Sequence, residues 1–250
     1  MPEALGVAWA TPGLPWMAAG IAVAGLVYGF AGFGSALIAV PLLSAAMTPA
    51  EAVGAFSLSA LASLATVVPR AWPDAERGAV ALMLAAAMAT LPLGLWVLRT
   101  GDPDVLRWLV AGVTLGTVAA LASGWRRTGG DGPAARAAVG AATGVVGGAT
   151  GLSGPVVILF QLSGRRPAAR ARATIVLFLT AYSLLTLPAL WLAGILTPRT
   201  AALGAVLFPV YLVATWAGGR LFARGSEALY GRVAHAVIAG AGVAALPVWS

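Results

Sequence analysis

The chain has 250 residues, of which 60% are hydrophobic and only 9% charged. A soluble domain carries about a quarter charged residues, so this composition cannot clothe a water-facing surface and reads as an all-α polytopic membrane protein. The absence of cysteine excludes disulfides and cysteine catalysis, and one histidine with eight scattered carboxylates makes no metal cluster.

Net charge is +7, and all fifteen basic residues are arginines, nearly all in short gaps between apolar runs. That placement fits topology, with basic loops held in the cytoplasm, rather than nucleic-acid binding. The opening MPEALGVAWATPGLP has no basic region and no clear small-residue cleavage site, so it does not read as a removed signal peptide.

The first interval free of Asp, Glu, Lys and Arg runs over residues 4–50. A membrane-spanning helix needs roughly 17–25 apolar residues, so this interval is too long for one straight helix. It reads as a segment over 15–46 broken at Gly32-Phe33-Gly34-Ser35. Plain helices follow over 51–69, 78–98 and 105–124, and a Gly-, Pro- and Arg-containing linker covers 125–135. A second broken segment covers 136–163, interrupted near Thr150-Gly151-Leu152-Ser153-Gly154-Pro155, and helices over 171–193, 199–222 and 229–248 complete the chain.

The order of segments repeats. A shift of 119 lays Gly25, Gly29 and Gly32 on Gly144, Gly148 and Gly151, and a shift of 125 lays Pro73, Gly94, Arg99 and Arg107 on Pro198, Gly219, Arg224 and Arg232. The halves 1–124 and 136–250 are therefore expected to be homologous four-segment repeats. If each broken segment crosses the bilayer, the arginines divide nine to six between the two sides; if each re-enters, they divide twelve to three. The second division obeys the positive-inside rule better. It leaves three crossings per repeat, inverts one repeat against the other and puts both termini outside the cytoplasm.

Glycine inside a membrane helix serves close packing, a kink or an unwound turn. Gly25/Gly29 and Gly144/Gly148 have the small-xxx-small packing spacing. An unwound turn leaves backbone groups free, tolerated at membrane depth only against protein or a wet cavity. A helix restarting after such a turn presents N–H groups at a positive dipole end, a natural anion site, and Pro155 suits the first turn of such a helix. The expected site is thus Gly32, Phe33, Gly34, Ser35, Thr150, Gly151, Ser153, Gly154 and Gln161, with both breaks meeting near the bilayer centre.

Gly25-x3-Gly-x2-Gly-Phe-Gly-Ser and its counterpart Gly144-x3-Gly-x2-Gly-Leu-Ser-Gly-Pro resemble the TauE/SafE sulfite-exporter family of membrane permeases. The likeness covers nearly the whole chain, though Phe33 and Ser35 stand where a denser glycine run is frequent. The resemblance implies transport of sulfite or organosulfonates across a bacterial inner membrane, with no cofactor. The implied partners are a small anion and lipid, and glycine-lined faces leave a homo-oligomer open.

Two other readings compete. Gly151-Leu152-Ser153-Gly154 with His235 suits a rhomboid-like intramembrane serine protease, but a second histidine and an asparagine, used by that pattern, are missing. A non-transport assembly factor would need no wet cavity at the breaks. No carboxylate falls at the centre of a span, which disfavours a buried proton carrier. Arg165, Arg166, Arg170 and Arg172 read as loop anchors that also collect anions at a cytoplasmic mouth.

Overall fold

The computed structural model describes residue 6 and residues 8–123, 130–164 and 167–224. The expected helix over 229–248, with His235, lies outside the described residues, as do Arg165 and Arg166. The described chain is helical: α1 Leu14–Ala31, α2 Ser35–Ser44, α3 Pro49–Ala60, α4 Ser63–Thr66, α5 Val68–Ala71, α6 Arg77–Thr100, α7 Pro103–Ala122, α8 Pro133–Thr150, α9 Gly154–Leu162, α10 Ala168–Leu192 and α11 Pro198–Arg224. Proline opens many of these helices, at a position where its missing N–H would find no intrahelical partner. Among the described residues, α1, α6, α10 and Pro198–Leu221 of α11 are long and apolar enough to cross a membrane. The protein is a polytopic all-α membrane protein.

Both broken segments break where glycine enters the left-handed region. Gly32 has φ 81° and Gly151 φ 72°, and each donates its N–H back to the preceding turn, to Tyr28 O at 2.7 Å and Gly147 O at 2.8 Å. A side chain there would add about 1–2 kcal/mol of strain. The helices before the breaks are each 18 residues long. After the first break the chain doubles back, since a Cβ placed on Gly20 of α1 would run into the side chain of Leu42 of α2. The first broken segment is therefore a hairpin that returns toward the end it came from.

The stretch expected as one helix over 51–69 is three pieces. Thr48 and Glu51 form a reciprocal capping box that starts α3. Where it stops, Ser59 and Ser63 donate back to the carbonyls of Phe56 and Ala60, at 2.9 and 2.7 Å. Such bonds bend a helix, and Pro69 then removes a donor.

Two helix pairs form the frame. Along α8, Gly140, Gly144 and Gly148 meet the carbonyls of Met83, Ala87 and Leu91 of α6, and Gly148 also meets the Cα of Gly94. Along α1, Gly25 meets Ala214 and Gly29 meets the Thr215 carbonyl of α11. Residue numbers rise together in both pairs, so each pair is parallel. A Cβ on any of these glycines would fall under 3.0 Å from the facing helix, and that closeness is what glycine at every fourth position provides.

Cross-contacts define two ends. At one, Arg199 lies 3.9 Å from Glu51 and Val53 packs on Gly151. At the other, Arg136 pairs with Glu76 at 3.2 Å, and the Glu76 N–H donates to Thr174 Oγ1 at 3.1 Å. Following the helices from these anchors puts Arg99, Arg107 and Arg199 at the first end. Arg70, Arg77, Arg136, Arg170, Arg172 and Arg220 lie at the second, basic end.

Candidate functional site

The two breaks face one cavity. Its walls include Gly34, Ser35 and Leu37 from the first break and Ser153, Gly154 and Pro155 from the second. Helices α2 and α9 begin here, and neither has a side-chain cap. A helix start leaves up to four N–H groups without intrahelical partners, so two uncapped N-termini meet in one place. Ser35 and Ser153 are 5% and 9% exposed.

Hydroxyls and aromatic rings complete the wall. Thr180 Oγ1 of α10 shares hydrogen bonds with Tyr28 Oη at 3.1 Å and Ser63 Oγ at 2.9 Å. This chain ties α1, α4 and α10 together. Tyr211 stands edge-on to Phe56 with ring centroids 6.0 Å apart and flanks Tyr28. The cavity measures about 30 Å³, room for roughly two waters.

A second cavity of about 30 Å³ adjoins the second break, lined by Val53, Ser57, Gly151, Ser153, Tyr182, Ser183 and Thr186. Ser153 borders both spaces. Tyr182 is 5% exposed and its Oη has no hydrogen-bond partner among the described residues. That oxygen lies beside Gly147, where a Cβ would come within 2.7 Å of it. Leaving a hydroxyl buried and unpaired costs about 1–3 kcal/mol, so this donor marks a place where a polar occupant is favoured.

The expected site residues divide into two groups. Gly34, Ser35, Ser153 and Gly154 line the shared cavity, and Gly151 lines its neighbour. Gly32 and buried Phe33 shape the first turn without lining these spaces. Thr150 donates to Val146 O at 2.7 Å and accepts from Leu152 N at 3.1 Å, so its hydroxyl serves the turn itself. Gln161 is buried on α9 at 2% exposure, away from these cavities.

Arg172 is no loop anchor. It is 8% exposed, and its Nε and an Nη donate to the carbonyls of Phe30 and Gly29 at 3.1 and 2.8 Å. It therefore caps the carboxyl end of α1 immediately before the first break. Sequence spacing placed it with the exposed arginines because nothing local distinguishes it from Arg170. The His235 of the protease reading lies outside the described residues, and the polar side chains sharing the cavity with Ser153 are hydroxyls.

No curated protein and no solved structure matches the chain. A family model does, that of the sulfite exporter TauE/SafE, over residues 17–245. That match spans both breaks and the helices that hold them, and the chain belongs to the TauE/SafE sulfite exporter family.

Proposed function

We propose that the chain carries sulfite or an organosulfonate across a bacterial inner membrane by alternating access, holding the anion between its two breaks. The observation that carries this reading is the pair of uncapped helix N-termini opening on one cavity. Each such terminus favours a negative charge by about 0.3–1 kcal/mol at a surface and up to about 2 kcal/mol when partly buried. Ser35 and Ser153 add hydroxyl donors, and Tyr182 Oη is a third donor on one side. Family membership supports the transport of a small anion.

Taking up the anion from one side and releasing it to the other requires the breaks to open in turn. In this reading the glycine-locked pairs α1/α11 and α6/α8 move as rigid units about the breaks. Equal lengths and a constant offset support an inverted duplication: Leu14, Gly32 and Ser35 correspond to Pro133, Gly151 and Gly154 at a shift of 119. The positive-inside rule makes the basic end cytoplasmic.

Thermal unfolding of the purified protein with a panel of solutes tests the anion site. A ligand that binds the folded state raises the midpoint once it exceeds its Kd. Sulfite and methanesulfonate should raise the midpoint, and uncharged dimethyl sulfone should not. A flat response to both anions contradicts the reading.

A further inference from the structure

The largest of the cavities described lies at the basic end and is not part of the central site. It measures about 230 Å³ and is lined by Thr66, Arg70, Asp74, Ala169, Arg172 and Gly219, among others. We infer that this cavity is a second anion station, a vestibule that takes up a small oxyanion at the basic end and delivers it toward the first break. This inference rests on the transport reading above for the direction of delivery, and on the cavity alone for binding.

Three observations support it. Two guanidinium groups and one carboxylate border the cavity, so its lining carries a net charge of +1 among these residues. Arg70 is exposed, has no ion pair among the described residues and reaches Gly219, where a Cβ would come within 2.9 Å of Nη1. A compact pocket with a cationic wall raises the local anion concentration beyond what a flat surface does.

The second observation is mechanical. Arg172 borders the same cavity while its guanidinium holds the Gly29 and Phe30 carbonyls. Charge arriving in the vestibule therefore acts on the group that caps α1 two residues before Gly32. An occupant there sits one side chain away from the turn that leads to Ser35.

The third is an asymmetry between the two breaks. Arg172 packs on Gly32, and Val53, 119 positions earlier, packs on Gly151 in the same way. The cavity beside Val53 is lined by apolar and hydroxyl side chains with no charged group among the described residues. One break therefore has a cationic antechamber and the other a neutral one. The difference concentrates an anion at the basic end, while the gradient across the membrane sets which way it flows.

Isothermal titration of sulfite into the purified full chain tests the station. Arg70→Gln should weaken binding about two- to fivefold, the scale of an exposed charge pair, and flatten its dependence on salt. Asp74→Asn should tighten binding by a similar factor, a change of opposite sign that lost packing would not produce. Arg77→Gln, at the same end but outside the cavity lining, should leave affinity within about twofold. The station is overturned if Arg70→Gln and Asp74→Asn both bind like the unaltered protein, if Arg77→Gln matches Arg70→Gln, or if the unaltered protein does not bind sulfite. Uptake of sulfite by vesicles holding the unaltered protein decides transport separately. Binding without uptake overturns the transport reading and leaves the station standing, and uptake with a KM indifferent to Arg70 and Asp74 does the reverse.

Discussion

Tyr182 shows how a single buried atom separates stability from function. Its Oη has no partner among the described residues, so removing it should not unfold anything. Tyr182→Phe should keep or slightly raise the unfolding midpoint, because an unpaired buried hydroxyl costs about 1–3 kcal/mol. The same variant should lower sulfite uptake by vesicles several-fold if the phenol serves the solute. A lower midpoint with unchanged uptake would mean that the hydroxyl is structural. Tyr182 was visible in the sequence as one polar group among several in its helix, but the lack of a partner was not. Arg172 is the opposite case, an arginine with the local sequence of a loop anchor that tertiary packing buries on α1. Tyr28 could have been read from its place one turn before Gly32. Tyr211 could not, because it arrives from a helix whose register against the break is set only by packing.

The breaks are where element-scale chemistry is concentrated. Gly32 and Gly151 end their helices in the left-handed region, and the restarted helices α2 and α9 have no side-chain caps. An aspartate at the cap of α9 would supply the negative charge that the site otherwise draws from a solute. Ser153→Asp should therefore abolish methanesulfonate-dependent thermal stabilisation, and Ser153→Asn, of similar size without charge, should retain much of it. Equal behaviour of the two variants would show that charge at this terminus is not what the site recognises. Both breaks were legible, since glycine, serine and proline interrupt uncharged runs too long for one helix. The fragmentation of α3, α4 and α5 was not. Serine hydroxyls turn back to carbonyls there, a choice that sequence leaves open because the same serines can face solvent or a neighbour.

On the scale of the whole molecule, two parallel helix pairs hold two breaks against each other. The all-α membrane architecture followed from the scarcity of charge, and the family match over residues 17–245 agrees with the glycine pattern. What spacing alone could not supply was pairing. The small-xxx-small glycines of α1 lie on α11, and those of α8 lie on α6, so each pair joins segments far apart in the chain. This arrangement lets the breaks share a cavity, with a charged cavity at the basic end and an uncharged one against the second break.

The chain lacks cysteine, so single cysteines at Ser35 and Ser153 can be followed without background. Reaction of each with a small sulfonate-bearing thiol reagent, with and without methanesulfonate, reads the shared site directly. If two uncapped helix starts bind anions in common, both cysteines react and methanesulfonate slows both. Cysteines that stay unreactive from either side of the membrane, or that react at the same rate whether or not methanesulfonate is present, would contradict it.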